Sequence, residues 1–209
     1  MDAAAPRLML ITPPRFDLDR VAAELPAVLA AGDVGCVQIR LLDPAERPAA
    51  ARRLVPIIQA ADIACTIAND VDLAVRTGAD GVHLEAATLD TYAAARAALP
   101  DGIVGVSAGG SRHDAMDLAE AGADYVSFGP CFASATVTEA PLPDLEAIRW
   151  WALMMTVPCV AVGGITAATI RTVAETGADF IAVSSFVWTH PTGAAAAVAK
   201  LMRLAGGGE

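Results

Sequence analysis

The sequence predicts an α/β fold, a single-domain (β/α)8 TIM barrel, on three observations. A helix–turn–strand signature recurs, in its fullest form as Thr77-Gly78-Ala79-Asp80-Gly81-Val82-His83-Leu84-Glu85. It returns as Ala121-Gly122-Ala123-Asp124-Tyr125-Val126-Ser127-Phe128-Gly129 and as Thr176-Gly177-Ala178-Asp179-Phe180-Ile181-Ala182-Val183-Ser184, with a worn copy over residues 31–40. Each copy follows an Ala-rich run, and its Gly can take the left-handed conformation that stops a helix. Between the copies lie apolar runs without the signature, at 8–12, 64–69, 104–108 and 159–164. Interleaved, the two sets make eight strands separated by helical stretches. The runs are continuously apolar rather than alternating, as parallel strands buried on both faces are. An open doubly wound sheet would carry a Gly-rich dinucleotide fingerprint after an early strand, and none is present.

Taken in order, strand one spans 8–12 and Pro13-Pro14 ends it. Asp17 or Asp19 can cap the first helix, in which Pro26 predicts a kink or a later start. Strand two ends in Gln38-Ile39-Arg40. Alternation points Gln38 and Arg40 the same way, into the active-site mouth of a barrel. There they meet a ligand, or Arg40 pairs with a neighbouring acid. Strand three ends in Ala68-Asn69-Asp70, where oxygens cluster to bind a ligand or to make an Asx turn or helix N-cap. Strand four, 81–85, places His83 and Glu85 on one face. His83 is either a core histidine or a chemical group. Glu85 at a strand end must be solvated, paired or metal-bound. Asp70 and Glu85 on adjacent strands are a candidate pair for a hard divalent cation.

Strand five leads into Ser107-Ala108-Gly109-Gly110-Ser111. Strand six ends at Phe128-Gly129-Pro130 and opens into the longest irregular segment, 131–143, with Ser134, Thr136 and Thr138 as hydroxyl donors. Helix six carries Trp150-Trp151. Both cannot face inward, so one is expected in a contact surface, such as that between copies of the chain in a homo-oligomer. Strands seven and eight end in Val162-Gly163-Gly164-Ile165-Thr166 and Val183-Ser184-Ser185-Phe186. Loops there form the phosphate cup of many barrels, where Gly lets backbone N–H groups approach oxygens and Ser adds a hydroxyl. The bland alternative is that Gly163-Gly164 is only a tight turn. The last helix ends near Ala205, with 206–209 as a frayed tail.

Composition narrows the function classes. Hydrophobic residues make up 55% of the 209, enough for a barrel interior and a helix–sheet layer. A net charge of −10 argues against a nucleic-acid or anionic-membrane partner. No run reads as a membrane span, and residues 1–7 lack the pattern of a signal peptide, so a cytoplasmic location is expected. Cys36, Cys65, Cys131 and Cys159 show no C-x-x-C spacing and read as small core hydrophobes. The one lysine is Lys200 in the last helix, which excludes a Schiff-base lysine at a strand end.

The chain resembles the thiamine phosphate synthase family and its thiazole tautomerase relatives over nearly its whole length. Seven motifs in barrel order carry the resemblance: Gln38-Ile39-Arg40, Ala68-Asn69-Asp70-Val71-Asp72-Leu73-Ala74, Gly78-Ala79-Asp80-Gly81-Val82-His83-Leu84, Gly105-Val106-Ser107, Phe128-Gly129-Pro130-Cys131-Phe132, Gly163-Gly164-Ile165-Thr166 and Val183-Ser184-Ser185. The resemblance implies a transferase that joins an aminopyrimidine methyl diphosphate to a hydroxyethylthiazole phosphate, releasing diphosphate with Mg2+. It implies that Gly164, Ser184 and Ser185 hold the thiazole phosphate. Gln38, Arg40, Asn69 and Ser107 then face the pyrimidine and its diphosphate, and Asp70 is a Mg2+ ligand.

The sequence departs from the family pattern at several points. Leu42 stands where a Lys is expected, and the Arg after Asn69-Asp70 is missing. Glu85, Ala86 and Thr88 replace Gly, Gln and a Mg2+-binding Asp. Ser134, Thr136 and Val137 stand where two Thr and a Lys are expected. These losses predict weak stabilisation of the departing diphosphate. Two alternatives follow: a non-catalytic barrel that binds a small phosphorylated metabolite, or a tautomerase-like isomerase using His83 or Glu85 as general acid/base. The tautomerase signature His is Pro130 here.

Overall fold

A computed structural model of the protein describes residues 5–133 and 145–208. Its elements run β1 (Arg7–Ile11), α1 (Leu18–Leu29), β2 (Val34–Ile39), α2 (Arg47–Gln59), β3 (Ala64–Ala68), α3 (Val71–Thr77), β4 (Gly81–Leu84), α4 (Leu89–Ala98), β5 (Ile103–Gly109), α5 (Arg112–Glu120), β6 (Tyr125–Phe128), α6 (Leu145–Met154), β7 (Cys159–Val162), α7 (Ile170–Ala174), β8 (Phe180–Val183), α8 (Ser185–Trp188) and α9 (Ala194–Ala205). The strands are parallel, pair in chain order and close β8 onto β1. This is the expected (β/α)8 barrel.

Each strand serves two cores. Leu8, Leu10, Val37, Ile39, Val82, Val104, Val126 and Ile181 point outward into the helix layer. The alternate residues Met9, Ile11, Cys36, Tyr125, Val160 and Ala182 point into the barrel. That period of two explains why the strands read as unbroken apolar runs. All four cysteines are free and buried. Burial pushes the Cys36 and Cys159 thiols up to about 12 and Cys131 up to about 11, so they pack as hydrophobes.

The recurrent Asp has a structural task. Asp80 Oδ2 accepts the Cys65 N–H at 2.7 Å, Asp124 Oδ2 accepts the Val104 N–H at 2.7 Å, and Asp179 Oδ2 accepts the Cys159 N–H at 2.8 Å. Each Asp therefore fixes the start of the strand preceding its own. In the worn copy, Asp33 bonds the Arg7 side chain, and its backbone carbonyl takes the Leu8 N–H. The Gly before each full-copy Asp has positive φ (66°, 103° and 85° at Gly78, Gly122 and Gly177), as a helix stop requires.

Smaller expectations resolve as follows. Asp17 caps α1, accepting the Arg20 N–H at 3.0 Å. Pro26 neither delays α1 nor splits it; the helix runs through it from Leu18 to Leu29, because one lost backbone bond is offset by the buried face of Val21, Leu25 and Val28. Trp151 is fully buried and donates Nε1–H to the Val157 carbonyl, while Trp150 is half-buried under the Arg112 guanidinium. The end of α9 is followed by Gly208, whose N–H bonds the Arg203 carbonyl and whose own carbonyl accepts from Arg171. No described helix is long and apolar enough to cross a membrane.

Candidate functional site

At the C-terminal ends of the strands opens a cavity of about 560 Å³, a size suited to small organic ligands. Inward alternation delivers Gln38 from β2, His83 from β4, Ser107 from β5 and Ser127 from β6 to its wall, with Arg40 and Glu85 one step higher. Met9, Val160 and Ala182, from β1, β7 and β8, line the other side. One half of the floor is polar and the other apolar.

Arg40 and Glu85 form an ion pair, Nε to Oε1 at 2.8 Å, with both side chains about one-third exposed. Asn69 organises this pair. Its backbone takes a left-handed conformation (φ 56°), which turns its amide toward the end of β4. There Nδ2 donates to Glu85 Oε2 at 3.1 Å, and Oδ1 accepts the Glu85 N–H at 2.8 Å. Asn69 thus acts on the carboxylate and does not line the cavity. Asp70 lies outside the lining too: Oδ1 accepts the Leu73 N–H at 3.0 Å as the N-cap of α3. Among the described residues, no three His, Cys, Asp or Glu side chains gather as a metal-ligand cluster.

His83 is deeply buried, and its Nδ1 shares a 2.9 Å hydrogen bond with the Tyr125 hydroxyl. The two rings stack with 8° between their planes. Between them in register stands Gly105, pairing with His83 on one side and Tyr125 on the other. A Cβ at Gly105 would occupy the place of the Tyr125 ring. Burial, aided by the Arg40 charge, lowers the His83 pKa to about 4, so the imidazole is neutral at pH 7. Tyr125 is held protonated by its own burial.

Across the mouth, Gly163 and Gly164 have φ of 100° and 66°. The segment after β6 packs onto them: Cys131 and Phe132 donate their N–H groups to the Val162 and Gly163 carbonyls. A Cβ on Gly163 would sit 2.7 Å from Pro130 Cα, and one on Gly164 would overlap the Phe132 carbonyl. The glycines therefore serve close backbone packing as well as any ligand. Ser184 precedes α8 and Ser185 opens it, and the first-turn N–H groups of a helix have no intrahelical partners. Trp188 anchors α8 by donating Nε1–H to the Ile11 carbonyl at 2.8 Å.

Of the residues singled out from sequence, the cavity thus gathers Gln38, Arg40, His83, Glu85, Ser107, Gly163, Gly164, Ser184 and Ser185. Asn69 and Asp70 stand behind the wall, and Ser134 and Thr136 fall outside the described residues. Tyr125 and Ser127 were not anticipated. Both lie in the third signature copy, and counting alternate positions back from Gly129 would have placed them inside the barrel.

Fold and site together define a class: a (β/α)8 barrel with a half-polar cavity and a Gly-Gly/Ser-Ser rim on β7 and β8. The family model described as thiamine monophosphate synthase (TMP-TENI) matches residues 8–187. The chain is 47% identical over 200 residues to the thiamine-phosphate synthase of Rhodospirillum centenum, covering 95% of this chain and 97% of that one. It is 40% identical over 209 residues to the thiamine-phosphate synthase of Hyphomonas neptunium, covering 94% of each. A solved thiamine phosphate pyrophosphorylase from Pyrococcus furiosus superposes with a TM-score of 0.80 at 26% identity, covering 96% of both chains. The chain belongs to the thiamine monophosphate synthase family, a family of thiamine biosynthesis.

Proposed function

We propose that the protein is a thiamine-phosphate synthase: it couples an aminopyrimidine methyl diphosphate to a hydroxyethylthiazole phosphate and releases diphosphate. The observation that carries this reading is identity at the 47% level along 95% of the chain to a thiamine-phosphate synthase, combined with one cavity holding both the Arg40–Glu85 pair and a Gly/Ser-rich rim. In the reaction, the bond from the pyrimidine methylene carbon to the diphosphate oxygen breaks, and the oxygen keeps the electron pair. The thiazole nitrogen supplies its lone pair to the same carbon, so no proton need be moved.

Each described residue has a task in this scheme. Gly164, Ser184 and Ser185 hold the thiazole phosphate through backbone N–H groups and hydroxyls. Gln38 and Ser107 face the pyrimidine ring, and Arg40 meets the diphosphate. Leaving-group charge is the difficulty, because the charged side chains lining the cavity are Arg40 and Glu85, which cancel. A Mg2+ ion carried with the diphosphate would supply the missing positive charge. Mg2+ needs only one or two carboxylates when phosphates complete its shell, and Glu85 on the cavity wall would provide hard oxygens of that kind, whereas the Asp70 carboxylate caps α3 outside the lining. Asn69 keeps Glu85 oriented for either partner. Isomerisation draws less support: His83 is a weak base, its pKa lowered by burial and its Nδ1 taken by Tyr125.

The test is direct. Purified protein given both substrates and Mg2+ is expected to form thiamine phosphate, seen by chromatography. Binding of both substrates with no product would overturn the synthase reading.

A further inference from the structure

We propose that Ser127 contacts substrate, its hydroxyl hydrogen-bonding the polar edge of the pyrimidine ring and so helping to select that substrate. This inference rests on the synthase reading above. Ser127 is only 4% exposed, yet its Oγ is the one buried side-chain oxygen or nitrogen without a hydrogen-bond partner among the described residues. Buried hydroxyls almost always bond something, and a strand Ser commonly finds a nearby carbonyl. This one does not, and it faces the cavity.

The sidedness of the floor says which ligand satisfies it. Ser127 pairs in register with Ser107 on β5 and with Val160 on β7, so it stands where the polar half meets the apolar half. The Gly164 and Ser185 rim rises from β7 and β8, on the apolar side. A ring tethered there by its phosphate lies over Val160 and Ala182, which offer dispersion contact and no hydrogen bonds. The nitrogen-rich ring of the other substrate faces Gln38, Ser107 and Ser127. Ser127 Oγ can donate to a ring nitrogen or accept from an amino group.

Calorimetric titration of wild type and Ser127→Ala with each substrate separately, in Mg2+, tests the assignment. The variant is expected to bind the pyrimidine diphosphate about threefold to tenfold more weakly, the usual scale of one neutral hydrogen bond. Thiazole phosphate affinity is expected to be unchanged, and the melting temperature of the ligand-free variant equal or higher, since an unsatisfied hydroxyl has been removed. Equal pyrimidine affinity in the two proteins would overturn the inference, as would equal weakening of both ligands with a lowered melting temperature. A wild-type protein that binds neither substrate would instead overturn the synthase reading, and this inference with it.

Discussion

Arg40 Nε lies 2.8 Å from Glu85 Oε1, so the guanidinium expected to meet a diphosphate is already neutralised by a carboxylate. On the reading proposed above, Glu85 would have two opposed tasks. Without metal it would compete with an anion for Arg40; as a Mg2+ ligand it would leave Arg40 to the anion. Glu85→Gln is therefore expected to raise affinity for inorganic diphosphate several-fold in EDTA, and to lower it in Mg2+, where a carboxylate ligand is lost. Titrations in the two buffers check this. A shift of the same sign in both would mean that Glu85 serves only one partner.

The Asp of the recurrent signature should matter for stability in proportion to what its side chain holds. Asp80→Ala, Asp124→Ala and Asp179→Ala each leave a strand N–H without its carboxylate, and each is expected to cost about 1–3 kcal/mol in denaturant unfolding. Asp33→Ala should cost under about 1 kcal/mol. There the Leu8 N–H is held by the Asp33 backbone carbonyl, which survives, and only an exposed ion pair is lost.

Gly164→Ala tests the rim on β7. A side chain at φ 66° costs about 1–2 kcal/mol, and the new Cβ displaces the Phe132 carbonyl. The expected result is a loss of thiazole phosphate affinity of more than about tenfold, in line with misplaced charge-assisted hydrogen bonds, while the pyrimidine diphosphate still binds. Circular dichroism of the variant separates this from unfolding.

Gly105→Ala is expected to push the Tyr125 ring from its stack on His83. Overpacking of this kind costs about 1–3 kcal/mol. The near-ultraviolet dichroism of Tyr125 should change with it. The family motif containing Gly105 would then owe its glycine to ring packing inside the barrel, rather than to a turn.

Much of this was legible in the sequence, for stated physical reasons. Burial on both faces made the strands visible as apolar runs, and alternation brought Gln38, Arg40, His83 and Glu85 to one mouth. The N-cap and the ion pair were both foreseen as alternatives for Asp70 and Arg40. What escaped depends on register between strands. His83 and Tyr125 are 42 residues apart, and only the stagger of β4, β5 and β6 around Gly105 brings them together. Asn69 was singled out, but its bonds to Glu85 were not foreseen, because they depend on a left-handed backbone that aims its amide at the end of β4. Ser127 was hidden inside a repeat whose other copies carry His83 and Ala182 at the same place, so nothing marked its hydroxyl as unpartnered.

The measurement that bears most directly on the synthase account is diphosphate release followed together with thiamine phosphate formation, in wild type and in Arg40→Ala, with both substrates and Mg2+. The account expects one diphosphate per thiamine phosphate in wild type, and a rate about 10²–10³ lower in the variant, the scale of losing one stabiliser of developing charge. Saturable binding of the thiazole phosphate without release of diphosphate would contradict it, leaving a phosphate-binding barrel that does not perform the coupling.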